Sequence, residues 1–314
     1  MRKYANLPIY LTFFLNISNK EILDFWGIKL HILAMQVEYL YPLKGGESLQ
    51  VTFYKKNNLE TRNCILFVHG FKGFKDWGFF PYSAYYFADK GYNVITFNFS
   101  HNGIAEKPEE FTRLDKFARN TVSREVNELG ELIDGIRNGF FGADIQNTKI
   151  GLIGHSRGGA VSLALSNLKK NEISSLALWA SIARWDRFTD RQIEEWKKLG
   201  YFEVINTRTN QIMRLNIDLL NDIENNIDGL LNIEQAVKNL NCPLFIAHGG
   251  QDITVPVNEA DMIYDWADKE NTELYILPTA GHTFDVQHPF TGTNDKLERL
   301  LENSVKFFRK HFNN

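Results

Sequence analysis

Short, unbroken apolar runs alternate along the chain with stretches in which apolar residues recur every three or four positions. The runs at 64–68, 93–99, 149–153, 175–181, 243–247 and 273–277 have the length and continuity of strands buried on both faces. Between them, residues 81–90, 119–138, a segment from Val161 onward, 258–268 and 295–312 read as helices. In the second of these, Val122, Val126, Leu129, Ile133 and Ile136 share a face; in the last, Leu297, Leu300, Leu301, Val305 and Phe308 do. Residues 37–41 and 49–54 flank Lys44-Gly45-Gly46-Glu47, a hairpin signal that makes the first strands antiparallel at one edge. Residues 57–63 read as a turn, 105–116 as a polar connection and 139–148 as a loop. The alternation predicts an α/β fold: a mostly parallel central sheet with helices on both faces.

One interval breaks the rhythm. Between the runs ending at 181 and starting at 243 lies far more chain than the roughly 12–25 residues a plain crossover needs. It is not loop-like. Residues 190–199 read as a helix, 201–206 and 211–215 as short strands around Thr207-Arg208-Thr209-Asn210, and 217–223 and 233–239 as helices. Residues 184–239 are therefore expected to form an inserted cap, dividing a core made of 35–183 and 240–314. Residues 1–34 fit neither part. Their short apolar run after Met1-Arg2-Lys3 carries Pro8 and lacks a small-residue cleavage site, so it is a poor signal peptide and too short to span a bilayer; Met35 is the alternative start.

The chemistry-bearing residues gather where such sheets collect them, at the carboxyl ends of the strands. Lys149–Ile153 turns through Gly154-His155-Ser156-Arg157-Gly158 into the next helix, a G-x-S-x-G pattern in strand–turn–helix context. Such a turn lifts a serine hydroxyl above the sheet edge, and a Cβ at Gly154 or Gly158 would collide with a neighbour. The strand at 64–68 runs into His69-Gly70-Phe71, the one at 93–99 into Ser100-His101-Asn102, the one at 243–247 into His248-Gly249-Gly250-Gln251-Asp252, and the last into Pro278-Thr279-Ala280-Gly281-His282. Ser156, Asp252 and His282 thus fall in the chain order Ser…Asp…His at one end of the sheet. A serine hydroxyl needs a histidine to take its proton, and the histidine needs a carboxylate to fix its tautomer. The tetrahedral oxyanion needs preorganised N–H donors; the backbone N–H groups of Arg157 and Phe71 stand at the expected places.

These motifs resemble the α/β-hydrolase superfamily over about residues 37–312: Gly154–Gly159 the nucleophile elbow, His69-Gly70-Phe71 the oxyanion loop, Asp252 the acid and Ala280-Gly281-His282 the histidine loop. Within it the chain is similar to bacterial cinnamoyl or feruloyl esterases and to dienelactone-hydrolase-like members. Asn98-Phe99-Ser100-His101-Asn102-Gly103 departs from the Asp-x-Arg-Gly-x-Gly type loop of many relatives. The resemblance implies a carboxylesterase-type serine hydrolase working through an acyl-enzyme on short-chain or aromatic, hydroxycinnamoyl-like, esters, with no metal or organic cofactor. A peptidase or amidase of the same fold is the nearest alternative, and a non-catalytic ligand- or partner-binding protein the alternative of another class. Of eight histidines, His288 is the main rival to His282 as base. His69 and His155 are expected to be structural and His101 to be a solvated loop residue. Asp285 and Asp265 are weaker acids because neither follows a core strand. Trp185, Trp196, Tyr201 and Phe202 in the cap, with Trp77, Phe79 and Phe80, suit either an aromatic pocket or packing of the cap.

Composition narrows the partners. The 314 residues are 44% hydrophobic and 23% charged, ordinary for a globular protein, with 35 basic against 38 acidic side chains. With no basic run or basic–aromatic stripe, nucleic acid is not an expected partner, and a small-molecule ester is. A homodimer is compatible with the sequence. Cys64 and Cys242 are too few for a disulfide framework and read as buried thiols, in keeping with a cytoplasmic location.

Overall fold

The computed structural model describes residues 35–55, 63–105 and 110–312. The expectations for residues 1–34 and for most of the 57–63 turn lie outside these residues. The central sheet has eight strands in the order β1-β2-β4-β3-β5-β6-β9-β10: β1 (Met35–Pro42), β2 (Ser48–Lys55), β3 (Cys64–Val68), β4 (Asn93–Asn98), β5 (Ile150–His155), β6 (Ile173–Trp179), β9 (Leu244–Gly249) and β10 (Thr272–Leu277). From β4 to β10 every pairing is parallel, while β2 runs against both β1 and β4, as the early hairpin predicts.

The unbroken apolar runs have a direct cause. Leu66 and Val68 of β3 enter one core with Leu129, Ile133 and Leu163, whereas Ile65 and Phe67 enter a second core with Phe87, Leu301 and Phe308. Alternate side chains are thus buried on opposite faces, so no polar position is left in the strand. The first core lies under α3 (Val122–Arg137), α5 (Arg157–Leu168), α8 (Ile233–Lys238) and α9 (Asn258–Trp266); the second lies under α1 (Phe80–Asp89) and α10 (Asp295–Phe312). The helix read as 119–138 forms as one helix that starts at Val122, and the end of the stretch read as a polar connection is itself helical. A short α2 (Leu114–Ala118) ends before it, and Thr121, extended at φ −131°, caps α3 by accepting a bond from the Arg124 N–H at 3.3 Å. The 139–148 loop contains one helical turn, α4 (Ala143–Gln146).

The long interval holds α6 (Asp190–Leu199), the two-stranded sheet of β7 (Tyr201–Asn206) and β8 (Gln211–Asn216), then α7 (Ile217–Asn226). α6 begins on a capping box, Thr189 with Gln192, and ends at left-handed Gly200. α7 packs on α3, and α8 on α5 and α9. The root is polar: buried Glu259 of α9 accepts from the Ala183 N–H at 2.7 Å and from the Arg187 guanidinium at 2.6 Å to each oxygen. No helix among the described residues is long and apolar enough to cross a membrane.

Candidate active site

The carboxyl-terminal ends of β3, β5, β9 and β10 bring Gly70, Ser156, Thr254 and His282 to one cavity. Ser156 joins β5 to α5 with φ 57° and ψ −124°, a backbone conformation costly for a side chain other than glycine. The surroundings hold it there: its N–H donates to the Trp179 carbonyl at 2.9 Å, and its carbonyl accepts from the Gly159 N–H at 3.0 Å. A Cβ on Gly158 would overlap the Val68 carbonyl, and one on Gly154 would stand 2.6 Å from the Gly158 oxygen, the close approach foreseen for this turn.

Asp252 and His282 meet. His282 Nδ1 lies 2.7 Å from Asp252 Oδ2, while Asp252 Oδ1 accepts from the N–H groups of Thr254 and Val255 at 2.9 and 2.8 Å. Burial alone would raise the Asp252 carboxyl, but hydrogen bonds from His248 and His282, with the Val255 N–H, hold it well below the ordinary carboxylate range. An ionised Asp252 fixes the proton of His282 on Nδ1 and leaves Nε2 as the nitrogen available to Ser156. The sequence places His248 at a strand end before the acid loop. Its Nε2 donates to the Val255 carbonyl at 2.9 Å and lies 3.4 Å from Asp252 Oδ2, so it braces the acid loop.

The loop after β3, read from the sequence as the oxyanion loop, abuts the serine turn. A Cβ on Gly70 would be 2.9 Å from both the His155 carbonyl oxygen and Ser156 Cβ, and 3.3 Å from the Arg157 nitrogen. This brings the Phe71 backbone beside Arg157, the first residue of α5, whose N–H has no carbonyl four residues back within the helix. His69 ties the loop to β4: Nδ1 donates to the Gly70 carbonyl at 3.0 Å and Nε2 accepts from the Phe99 N–H at 3.3 Å. Burial pushes its pKa down to about 4. His155, pushed down to about 3 by burial and then by the charge of His282, donates from Nε2 to the His282 carbonyl at 3.0 Å. Both are neutral fasteners, as expected of structural histidines.

The Arg157 side chain is held by α3. Its guanidinium donates to buried Glu125 at 2.5 Å and lies 4.8 Å from the Phe71 ring centroid, joining α3, the serine turn and the loop after β3. Glu125 escaped the sequence reading, although it sits three residues after Val122 inside the apolar stripe of α3, where a carboxylate needs a partner. Glu128 is a similar case. It accepts from both the Ser100 N–H and its hydroxyl, drawing the 98–103 loop inward. His101 beside it is consequently buried, at 4% exposure, rather than solvated, and does not reach the cavity.

His288 does line the cavity, where its Nδ1 accepts from the Gly78 N–H at 2.9 Å and its ring stacks on Trp77. Asp285 pairs with Lys296, and Asp265 with Lys269 at 3.5 Å; neither meets His282.

A cavity of about 780 Å³ opens over Ser156 and His282. Trp77, Phe80, Trp185 and Phe188 wall it, and Val204, Leu215 and Leu219 of the inserted segment face it. Of the aromatics read from the sequence, Trp77, Phe80 and Trp185 thus belong to the cavity. Trp196 and Phe202 instead pack with Phe188, and Phe79 packs against His155 and Trp179. Among the described residues, no group of three or more His, Cys, Asp or Glu side chains is placed to hold a metal ion.

Residues 63–213 match the family model described as alpha/beta hydrolase fold. No curated protein sequence matches the chain. Among solved structures, Est1E from Butyrivibrio proteoclasticus with ferulic acid bound superposes with a TM-score of 0.65 at 18% identity, over 88% of this chain and all of that one. Dienelactone hydrolase from Anabaena variabilis gives 0.57 at 15% identity, over 88% and 99%. The acylaminoacyl peptidase of Pyrococcus horikoshii gives 0.61 at 18% identity, over 89% of this chain and 42% of that one. These likenesses are of fold.

Proposed function

We propose that this chain, a member of the α/β-hydrolase superfamily, is a serine hydrolase that cleaves carboxylic esters through an acyl-enzyme. The observation that carries the reading is the left-handed Ser156 at a cavity shared with His282, whose far nitrogen is held 2.7 Å from a buried, ionised Asp252. Ser156 Oγ attacks the ester carbonyl carbon while His282 Nε2 takes its proton. The oxyanion is held by the N–H groups of Phe71 and Arg157, helped by the positive end of α5. Collapse expels the alcohol, which receives the proton from His282. Water, deprotonated by His282, then attacks the acyl-serine, and the reverse sequence frees the acid and Ser156.

Residues 184–239 serve as a cap over this centre, with α8 as its root in the core. The aromatic walls favour aromatic or short acyl groups, and the ferulic acid held by a protein of like fold makes hydroxycinnamoyl esters the first substrates to try. The test is a panel of p-nitrophenyl esters, methyl hydroxycinnamates and aminoacyl anilides. The reading expects ester turnover that is abolished in Ser156→Ala and reduced by more than a thousandfold in His282→Ala, with the fold unchanged. Turnover of anilides alone would make the protein an amidase, and His282→Ala activity within tenfold of wild type would overturn the base.

A further inference from the structure

Four cationic residues line the cavity, Lys72, Arg157, Arg187 and Arg208, and no Asp or Glu among the described residues does. Arg157 is answered from behind the wall by buried Glu125, and Arg187 by both oxygens of buried Glu259. Lys72 differs. Its ammonium donates to the Ile205 carbonyl of β7 at 3.2 Å and lies 5.6 Å from the Phe71 ring centroid; neither contact brings a full negative charge. The side chain is half-buried, and burial draws its pKa below the usual lysine value. Its position is fixed. Lys72 has φ 56° in the 70–73 turn, which is closed by the Gly73 N–H donating to the Gly70 carbonyl at 3.0 Å. Arg208, three residues beyond Ile205, lies on the same side of the cavity, its guanidinium 5.9 Å from the Phe74 ring centroid.

We propose that the cavity accepts esters carrying a second, ionised carboxylate, and that Lys72 is its anchor on the β7–β8 side. The inference rests on the esterase reading and supplies its substrate class. Lys72 directly follows Phe71, the proposed oxyanion donor, so a carboxylate a few bonds from the reacting carbonyl can reach Nζ while the carbonyl occupies the oxyanion site. A neutral ester would leave this ammonium with a peptide oxygen alone. A carboxylate replaces lost water with a charge-assisted hydrogen bond to Lys72.

The experiment uses matched pairs of esters: p-nitrophenyl hemiglutarate against p-nitrophenyl valerate, and the butyryl ester of 4-hydroxybenzoate against that of 4-hydroxybenzamide. In at least one pair the charged ester should have a kcat/KM about tenfold or more above its neutral partner, as expected for one charge-assisted bond. Lys72→Met should remove that ratio, chiefly through KM, and Lys72→Arg should keep most of it. Misfolding would lower both members of a pair together and leave the ratio intact. Equal or better turnover of the neutral ester in both pairs, or an unchanged ratio in a Lys72→Met protein that melts as the wild type does, overturns the proposal. Calorimetric binding of 4-phenylbutyrate against 4-phenylbutyramide needs no turnover. Tighter binding of the acid, lost in Lys72→Met, supports the anchor even if every ester is inert, in which case the esterase reading alone fails; equal binding overturns the anchor.

Discussion

Gly70→Ala tests the oxyanion site without touching any group that moves a proton. The new Cβ would lie 2.9 Å from the His155 carbonyl oxygen and from Ser156 Cβ. Carbon contacts relax to about 3.5–4.0 Å, so the two segments must part by roughly 0.6–1 Å. Both neighbours are backbone or Cβ atoms within a turn already held by Trp179 and Gly159, so no rotamer change relieves the clash. The loop that carries Phe71 is the part free to yield. Oxyanion donors act over about 2.7–3.1 Å, and a displacement of this size takes the Phe71 N–H out of range. Losing one such donor costs about 3–4 kcal/mol, a fall in kcat of roughly 10²–10³. The overpacking itself should cost about 1–3 kcal/mol of stability. The assay is steady-state hydrolysis of a p-nitrophenyl ester alongside thermal melting. A folded Gly70→Ala protein with kcat within threefold of wild type would refute Phe71 as donor and the tight fit of loop to elbow.

Two other perturbations read different parts of the site. Asp252→Asn keeps the shape but can present the wrong tautomer to His282, so kcat should fall by about 10³–10⁴ in the same ester assay. Glu128 is raised by burial to about 7, despite its bonds from Ser100. The unfolded side chain titrates near 4.3, so between these values the folded chain binds the extra proton, and stability is lost as pH rises through the window, by up to about 3 kcal/mol. Glu128→Gln has no such proton, so melting curves should show its deficit against wild type as larger at pH 5 than at pH 8.

The sheet and its covering helices were legible because each core strand is buried on both faces and therefore reads as an unbroken apolar run. The serine turn was legible because its glycines answer to contacts a few residues away. Legibility failed where the deciding contact comes from elsewhere in the chain. His101 looked solvated because its burial is imposed by Glu128, a residue of α3 distant in sequence. Glu125 carried a readable sign, a carboxylate on an apolar helical face, but its partner Arg157 was visible only once α3 and α5 were placed together. The aromatics of the inserted segment divide between wall and interior by side-chain direction, which the short strands and helices of that segment do not reveal.

The central claim is that Ser156 becomes covalently acylated. Intact-mass spectrometry after exposure to a fluorophosphonate probe, followed by peptide mapping, measures this at one atom. A single adduct on the peptide holding Ser156, blocked by prior incubation with an ester substrate and absent from Ser156→Ala, is the predicted result. A folded wild-type protein that stays unlabelled, or an adduct that persists in Ser156→Ala, would contradict the account.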